Sequence, residues 1–227
     1  MDRHRSRGFA LLELLFVIVG VVILVVLIRE GASILDRWRG VNTAEALQDI
    51  NIGVYTYYLK YRALPGDDPR AAGRWDTVLP PPGPDGRVPA GNGLIDHAIT
   101  GSAAQPGEEP LFWEHLRRAD IIGSREDPTL EELRQPVSDG WGRPLAVYDG
   151  ALGLANTVCG RLPAGDARRW DGQVDDGKAV RGLWRWIDTE KGEPPKCLTD
   201  WTPLGPGDTV WLCVAVGPHA GRKAPGC

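Results

Sequence analysis

The chain has 227 residues, 42% of them hydrophobic, enough for one globular head with its own core and one membrane-length helix, and too few for two full domains. Acidic side chains outnumber basic ones, 30 to 26, and the basic ones are scattered, so the concentrated cationic footprint of a nucleic-acid binder is missing and no nucleic-acid partner is expected. The first predicted element is the twenty-residue run Phe9 to Ile28, FALLELLFVIVGVVILVVLI, with Glu13 its single charge. At helical rise it reaches roughly 30 Å, the thickness of a bilayer's hydrocarbon core. Arg3, Arg5 and Arg7 precede it, while Arg29 is balanced at once by Glu30, so the positive-inside rule leaves the N-terminus cytoplasmic and the remainder exported.

A secretory signal peptide has a similar basic start, and Gly31-Ala32-Ser33 offers a weak cleavage site, but the apolar run is longer than the usual 7 to 15 residues. A plain signal anchor fits the length. Neither explains Glu13, since a carboxylate at the bilayer centre costs about 2.5 to 3.5 kcal/mol. Glu13 stands four residues past Phe9, about 6 Å into the span, where it could also snorkel to the headgroups.

Arg7-Gly8-Phe9-Ala10-Leu11-Leu12-Glu13 resembles the processing motif of type IV pilins and type II secretion pseudopilins. The resemblance implies a leader over 1–8, cleavage between Gly8 and Phe9 by a membrane prepilin peptidase, and N-methylation of Phe9. It also implies a transmembrane and filament-core helix over 9–28 and a periplasmic continuation over 29–63. A C-terminal globular domain over 64–227 follows. The expected partners are other pilin or pseudopilin subunits, the prepilin peptidase, the inner-membrane assembly platform and membrane lipid. The expected location is the bacterial inner membrane, crossed once, with the C-terminal domain periplasmic. Glu13 then has a role in assembly: its carboxylate pairs with the freed Phe9 amine of a neighbouring subunit, each offsetting the other's desolvation. The resulting expectation is a structural filament subunit, not an enzyme. The alternative is a membrane-anchored periplasmic binding module or enzyme that is never processed.

Beyond the membrane the helix is predicted to continue, with a bend near Gly31. Ile34/Leu35, Trp38, Val41, Leu47, Ile50, Val54, Tyr57/Tyr58 and Tyr61 recur at helical spacing, and Pro65-Gly66 closes the run. Gly40 and Gly53 weigh against continuity. Residues 64–110 read as loop, with Pro80-Pro81-Pro82-Gly83-Pro84 the stiffest part. A helix is predicted over 109–122 and a short one over 166–174, with strands over 144–148, 152–158, 183–187 and 210–216 and a tight hairpin at Asp149-Gly150. The fold class is α+β: a long N-terminal helix packed against a small antiparallel sheet, pilin-like. Leu64-Pro65-Gly66-Asp67, Gly91-Asn92-Gly93-Leu94-Ile95, Phe112-Trp113-Glu114-His115-Leu116 and Val174-Asp175-Asp176-Gly177 look like recurring blocks of pilin-like proteins. Asp139-Gly140-Trp141-Gly142-Arg143-Pro144 is similar to the Trp-Gly-x-Pro turn of major pseudopilins, with Gly140 in place of the usual proline.

Cys159, Cys197, Cys213 and Cys227 form no C-x-x-C pair and suggest two disulfides in an oxidising compartment. Of three pairings, Cys197–Cys213 with Cys159–Cys227 is favoured. Acidic loops raise calcium as a candidate ligand at Asp67 with Asp68, at Asp85 with Asn92 and Asp96, and at Asp171 with Asp175 and Asp176, none at EF-hand spacing. His97, His115 and His219 are read as structural. Trp184 and Trp186 share one strand face and are expected to be buried against the long helix, while Trp75 and Trp201 are candidates for exposed contacts.

Overall fold

The computed structural model describes residues 5–77, 91–96, 107–188, 194–195, 197, 204–205, 207–224 and 227, with side chains described from Leu12 onward except at 32–33. The fold is the expected α+β arrangement, a long apolar N-terminal helix, α1 (Arg5–Tyr61), with a four-stranded antiparallel sheet. The chain divides into two compact units, Met1–Arg39 and Gly40–Cys227, and the boundary falls inside α1. In the first unit the large apolar side chains from Leu12 to Ile28 are all exposed, and the helix passes through Gly31 unbroken.

In the second unit α1 changes character. Ala44, Leu47, Ile50, Val54 and Tyr57, three or four apart, are all at most 2% exposed and form one wall of the core. The two glycines that weighed against continuity mark close approaches. A Cβ on Gly53 would stand 2.9 Å from Ile121 Cγ2, and one on Gly40 would stand 2.7 Å from Asp166 Oδ2. Their helix-propensity cost is set against that close packing.

After the short α2 (Ala71–Trp75) comes α3 (Glu108–Arg118), four residues shorter at its C-terminus than predicted. Asp120 turns left-handed at φ 59°, and the Ile121 and Asp120 N–H groups donate back to the Leu116 and Arg117 carbonyls, a Schellman closure built on Asp instead of Gly. The unpredicted α4 (Leu130–Arg134) starts with a complete capping box between Thr129 and Glu132.

The strands are β1 (Ala146–Asp149), β2 (Asn156–Pro163), β3 (Trp184–Ile187) and β4 (Thr209–Ala215), in the order β1-β2-β4-β3 with every pairing antiparallel. Between β2 and β3 lies α5 (Ala164–Val174). Val147, Val158, Leu162, Trp184, Trp186, Leu212 and Val214 alternate onto the face that shares the core with α1. Gly160 sits where α1 comes closest to β2, because a Cβ there would meet Thr43 Cγ2 and Leu145 Cδ2 at 2.9 Å.

Two expectations are corrected. The turn after β1 is not a two-residue hairpin: Asp149 pairs with Asn156, and the intervening residues include a 3-10 turn over Ala151–Gly153 with Leu152 at φ 50°. Leu152 and Leu154 are fully buried, and their alternation gave this loop the look of a strand. The disulfides are Cys159–Cys213 and Cys197–Cys227, not the favoured pairing. The β2–β4 register sets Cys159 directly opposite Cys213 with Cα atoms 4.1 Å apart, and that register is a long-range fact with no local sequence signal.

Candidate functional site

Gly8 and Phe9 lie in the first turns of α1, and Glu13 follows one turn later with its side chain exposed. From Leu14 to Ile28 every residue is apolar or glycine and exposed, with Phe16 at 67%. This is one helix long and apolar enough, by length and composition, to cross a membrane.

The other end of α1 is built differently. The scattered sequence blocks from the second unit converge there into a polar clasp. Gly66, at φ 90°, donates its N–H to His115 Nδ1 at 2.9 Å, and a Cβ on Gly66 would stand 2.7 Å from the Glu108 carbonyl, so the position requires glycine. With Nδ1 accepting, the His115 proton sits on Nε2. The imidazole is stacked 6.1 Å from the Tyr57 ring, and burial holds its pKa down to about 4. Tyr57 donates its hydroxyl to Asp68 Oδ2 at 2.8 Å, and Arg74 pairs with the same carboxylate. Burial, then the Asp68 charge, pushes the Tyr57 phenol well above its ordinary range.

Asp67 points the other way and gathers the second block: its carboxylate accepts the N–H groups of Gly91, Asn92 and Gly93. Asn156 on β2 completes the hold, accepting from the Ile95 N–H and donating to the Gly93 carbonyl. Glu108 accepts the Asp96 N–H on Oε2 at 2.7 Å, while its buried Oε1 has no hydrogen-bond partner among the described residues. Burial first, then the charges of Asp67, Asp96 and Asp149, lifts the Glu108 carboxyl to about 9, so it is a neutral acid at pH 7. Burial likewise raises Asp67 to about 6 against the lowering effect of its three N–H donors. Glu114 ties α3 to Arg134 on α4 and to Thr77 and also pairs with Arg118 within α3; against burial, the hydrogen bonds from its two arginines lead those that hold its carboxyl below the ordinary range.

The Asp139–Pro144 turn docks on the buried half of α1. Asp139 accepts from the Trp141 and Arg143 N–H groups, and Gly140 donates its own N–H to Thr43 Oγ1 at 3.0 Å. A proline at 140 has no N–H to give, so the departure from the pseudopilin pattern coincides with a bond this chain makes.

Of the calcium candidates read from sequence, Asp171, Asp175 and Asp176 are each described. Asp175 accepts the Leu183 and Trp184 N–H groups and Asp176 accepts that of Lys178, so both carboxylates hold turns. Asp171 is fully buried without a hydrogen bond of ordinary geometry, and burial raises it to about 6, with the nearby Trp186 indole pulling the other way. Among the described residues no group of three or more His, Cys, Asp or Glu side chains is placed to hold a metal ion. Asp67 and Asp68 are spent in the clasp, and Asp85 lies outside the described residues.

His97 and Trp201 also lie outside the described residues. Trp75 is not an exposed contact: it is half-buried in α2, edge-on to Tyr61 at 5.4 Å. Trp184 and Trp186 are buried as expected, with α5 contributing cover through Trp170 and Arg168. Sequence reasoning missed Glu108 and Asn156. The polar pair Asn156-Thr157 set between Leu154-Ala155 and Val158-Cys159 was the one signal available for Asn156.

No protein-family model, curated protein or solved structure matches the chain.

Proposed function

We propose that the chain is a filament subunit, a minor pilin or pseudopilin of a type IV pilus or type II secretion filament. In this reading a prepilin peptidase cuts between Gly8 and Phe9, Phe9 is N-methylated, and the apolar half of α1 anchors the subunit by a single pass with the head in the periplasm. The inner-membrane assembly platform then moves it from lipid into a bundle of like helices. The head adds no catalysis of its own.

The observation that carries the reading is Glu13, a lone exposed carboxylate one turn past a glycine–phenylalanine junction, heading a helix whose next fifteen residues are apolar or glycine and exposed. An apolar surface of that extent needs cover, from lipid or from neighbouring helices. A carboxylate at its edge is stabilised by a cation presented from the same apolar surface of a neighbour, and the freed Phe9 amine is such a cation.

The test is processing. Co-expression with a prepilin peptidase is expected to yield a chain whose mass, by intact mass spectrometry of the membrane fraction, lacks residues 1–8 and carries one added methyl group on Phe9. Persistence of the full-length, unmethylated species sinks the reading and leaves a membrane-anchored binding module or enzyme.

A further inference from the structure

The sheet face opposite α1 carries its own small cluster, with Leu152 and the Cys159–Cys213 pair beside Trp211 and Tyr148. Two open depressions of about 260 and 390 Å³ lie on this face and share Arg143, Arg161 and Trp211. Tyr148 lines the first, and Asp188 and Asp208 line the second. Together they fall in the size range of small-ligand sites.

The groups around this groove are set before any ligand arrives. The Arg161 guanidinium lies 4.5 Å over the Trp211 ring, and Tyr148 meets the same ring edge-on at 6.4 Å. Arg143 is held by Asp139, its Nε donating to Oδ2 at 2.7 Å, and its Nη2 donates to the Arg161 carbonyl. Trp211 is 8% exposed and its indole N–H has no acceptor among the described residues. Side chains fixed this way lose little freedom on binding.

The charges decide the ligand class. Arg143 is already paired with Asp139, so an anion drawn to Arg161 is opposed by Asp188 and Asp208, and a cation drawn to those carboxylates is opposed by Arg161. A neutral molecule edged with hydroxyl groups satisfies both, because each hydroxyl donates to a carboxylate and accepts from a guanidinium. We propose that this groove is a binding site for a neutral glycan, with Arg161 and Asp188 contacting opposite edges of the sugar and the Trp211–Tyr148 pair lining its apolar side. The groove lies on the sheet face opposite α1.

The test uses the full chain held in a sugar-free amphipol. Chitotetraose, maltotetraose and cellotetraose serve as neutral probes and a sulfated heparin tetrasaccharide as the anionic contrast, each followed by calorimetry and tryptophan fluorescence. At least one neutral tetrasaccharide is expected to bind saturably at millimolar concentration or below. Arg161→Gln and Asp188→Asn should each weaken it by about tenfold, the value of one hydrogen bond to a charged group, with the near-UV circular dichroism unchanged. Trp211→Phe, which removes only the indole donor and part of the ring, provides a third variant should either of the others perturb the fold. The proposal is overturned if no neutral tetrasaccharide binds, if only the sulfated one does, or if binding survives undiminished in the well-folded variants.

Discussion

The two halves of α1 use their apolar residues in opposite ways. Leu14 to Ile28 place apolar side chains on every side of the helix and leave them exposed, whereas Ala44 to Tyr57 place theirs along one stripe and bury it under a head with its own sheet. The contrast separates what the chain does for itself from what it offers to its surroundings. A helix that is apolar all round needs an external solvent or partner, and an amphipathic one finds its cover within the fold.

Substitutions in each half should therefore leave the other untouched. The largest effect is expected from Glu13→Gln. If the proposed pairing with Phe9 holds, filament yield under co-expression with the assembly machinery drops by an order of magnitude or more, as expected for stranding a charge in an apolar setting. The melting temperature of the head is expected to stay within a degree. An equal yield from parent and variant breaks the contrast at its first half.

On the head side, replacing Cys159 and Cys213 together by serine opens a loop of 54 residues. Chain-entropy reasoning puts the loss at about 4 kcal/mol, readable as a lower urea midpoint, while membrane insertion stays unchanged.

Acidity sharpens the contrast next, through the buried Glu108 of the clasp. Glu108 is protonated in the fold up to pH about 9 and ionised when unfolded above its ordinary value near 4.5, so the folded state holds the extra proton between those limits. Stability contributed by that proton is complete below the unfolded value and is lost as pH rises toward 9, by about 1.4 kcal/mol per pH unit. Denaturation between pH 8 and 9 isolates it, since Asp67 and Asp171, raised to about 6, and His115, which titrates near 4 in the fold and near its ordinary 6.5 when unfolded, have finished titrating below that window. Glu108→Gln keeps an acceptor for the Asp96 N–H and should flatten the slope. A parent chain with no slope there removes the neutral acid from the account.

The smallest effect is expected at the seam between the head and the buried half of α1. Thr43→Val keeps the shape and removes the acceptor for Gly140, costing about 1 kcal/mol by urea denaturation.

How much of this was legible depended on whether a signal was local. The apolar run, its single carboxylate and the stripe from Leu47 to Tyr57 are written in consecutive turns and needed only a period and a length. Gly40 and Gly53 were read by intrinsic propensity, which cannot show that Asp166 and Ile121 arrive from far along the chain. The loop over 150–155 had the alternation of a strand because Leu152 and Leu154 are buried for tertiary reasons. The cap at Thr129-Leu130-Glu131-Glu132 was readable as a helix start and was passed over. In the clasp, individual blocks were visible, but their convergence on Asp67 and His115 was not, since no short-range rule joins Asp67 to Gly93 or Gly66 to His115.

The two cystine bridges interleave: Cys197 lies within the span closed by Cys159 and Cys213, and Cys213 lies within the span closed by Cys197 and Cys227. A single proteolytic nick anywhere from Cys159 to Cys227 therefore leaves both fragments on one molecule, since every such cut has a sulfur bridge across it. Damage between those cysteines is then survivable under oxidising conditions, and shedding a piece of that stretch requires either two cuts or a reductant.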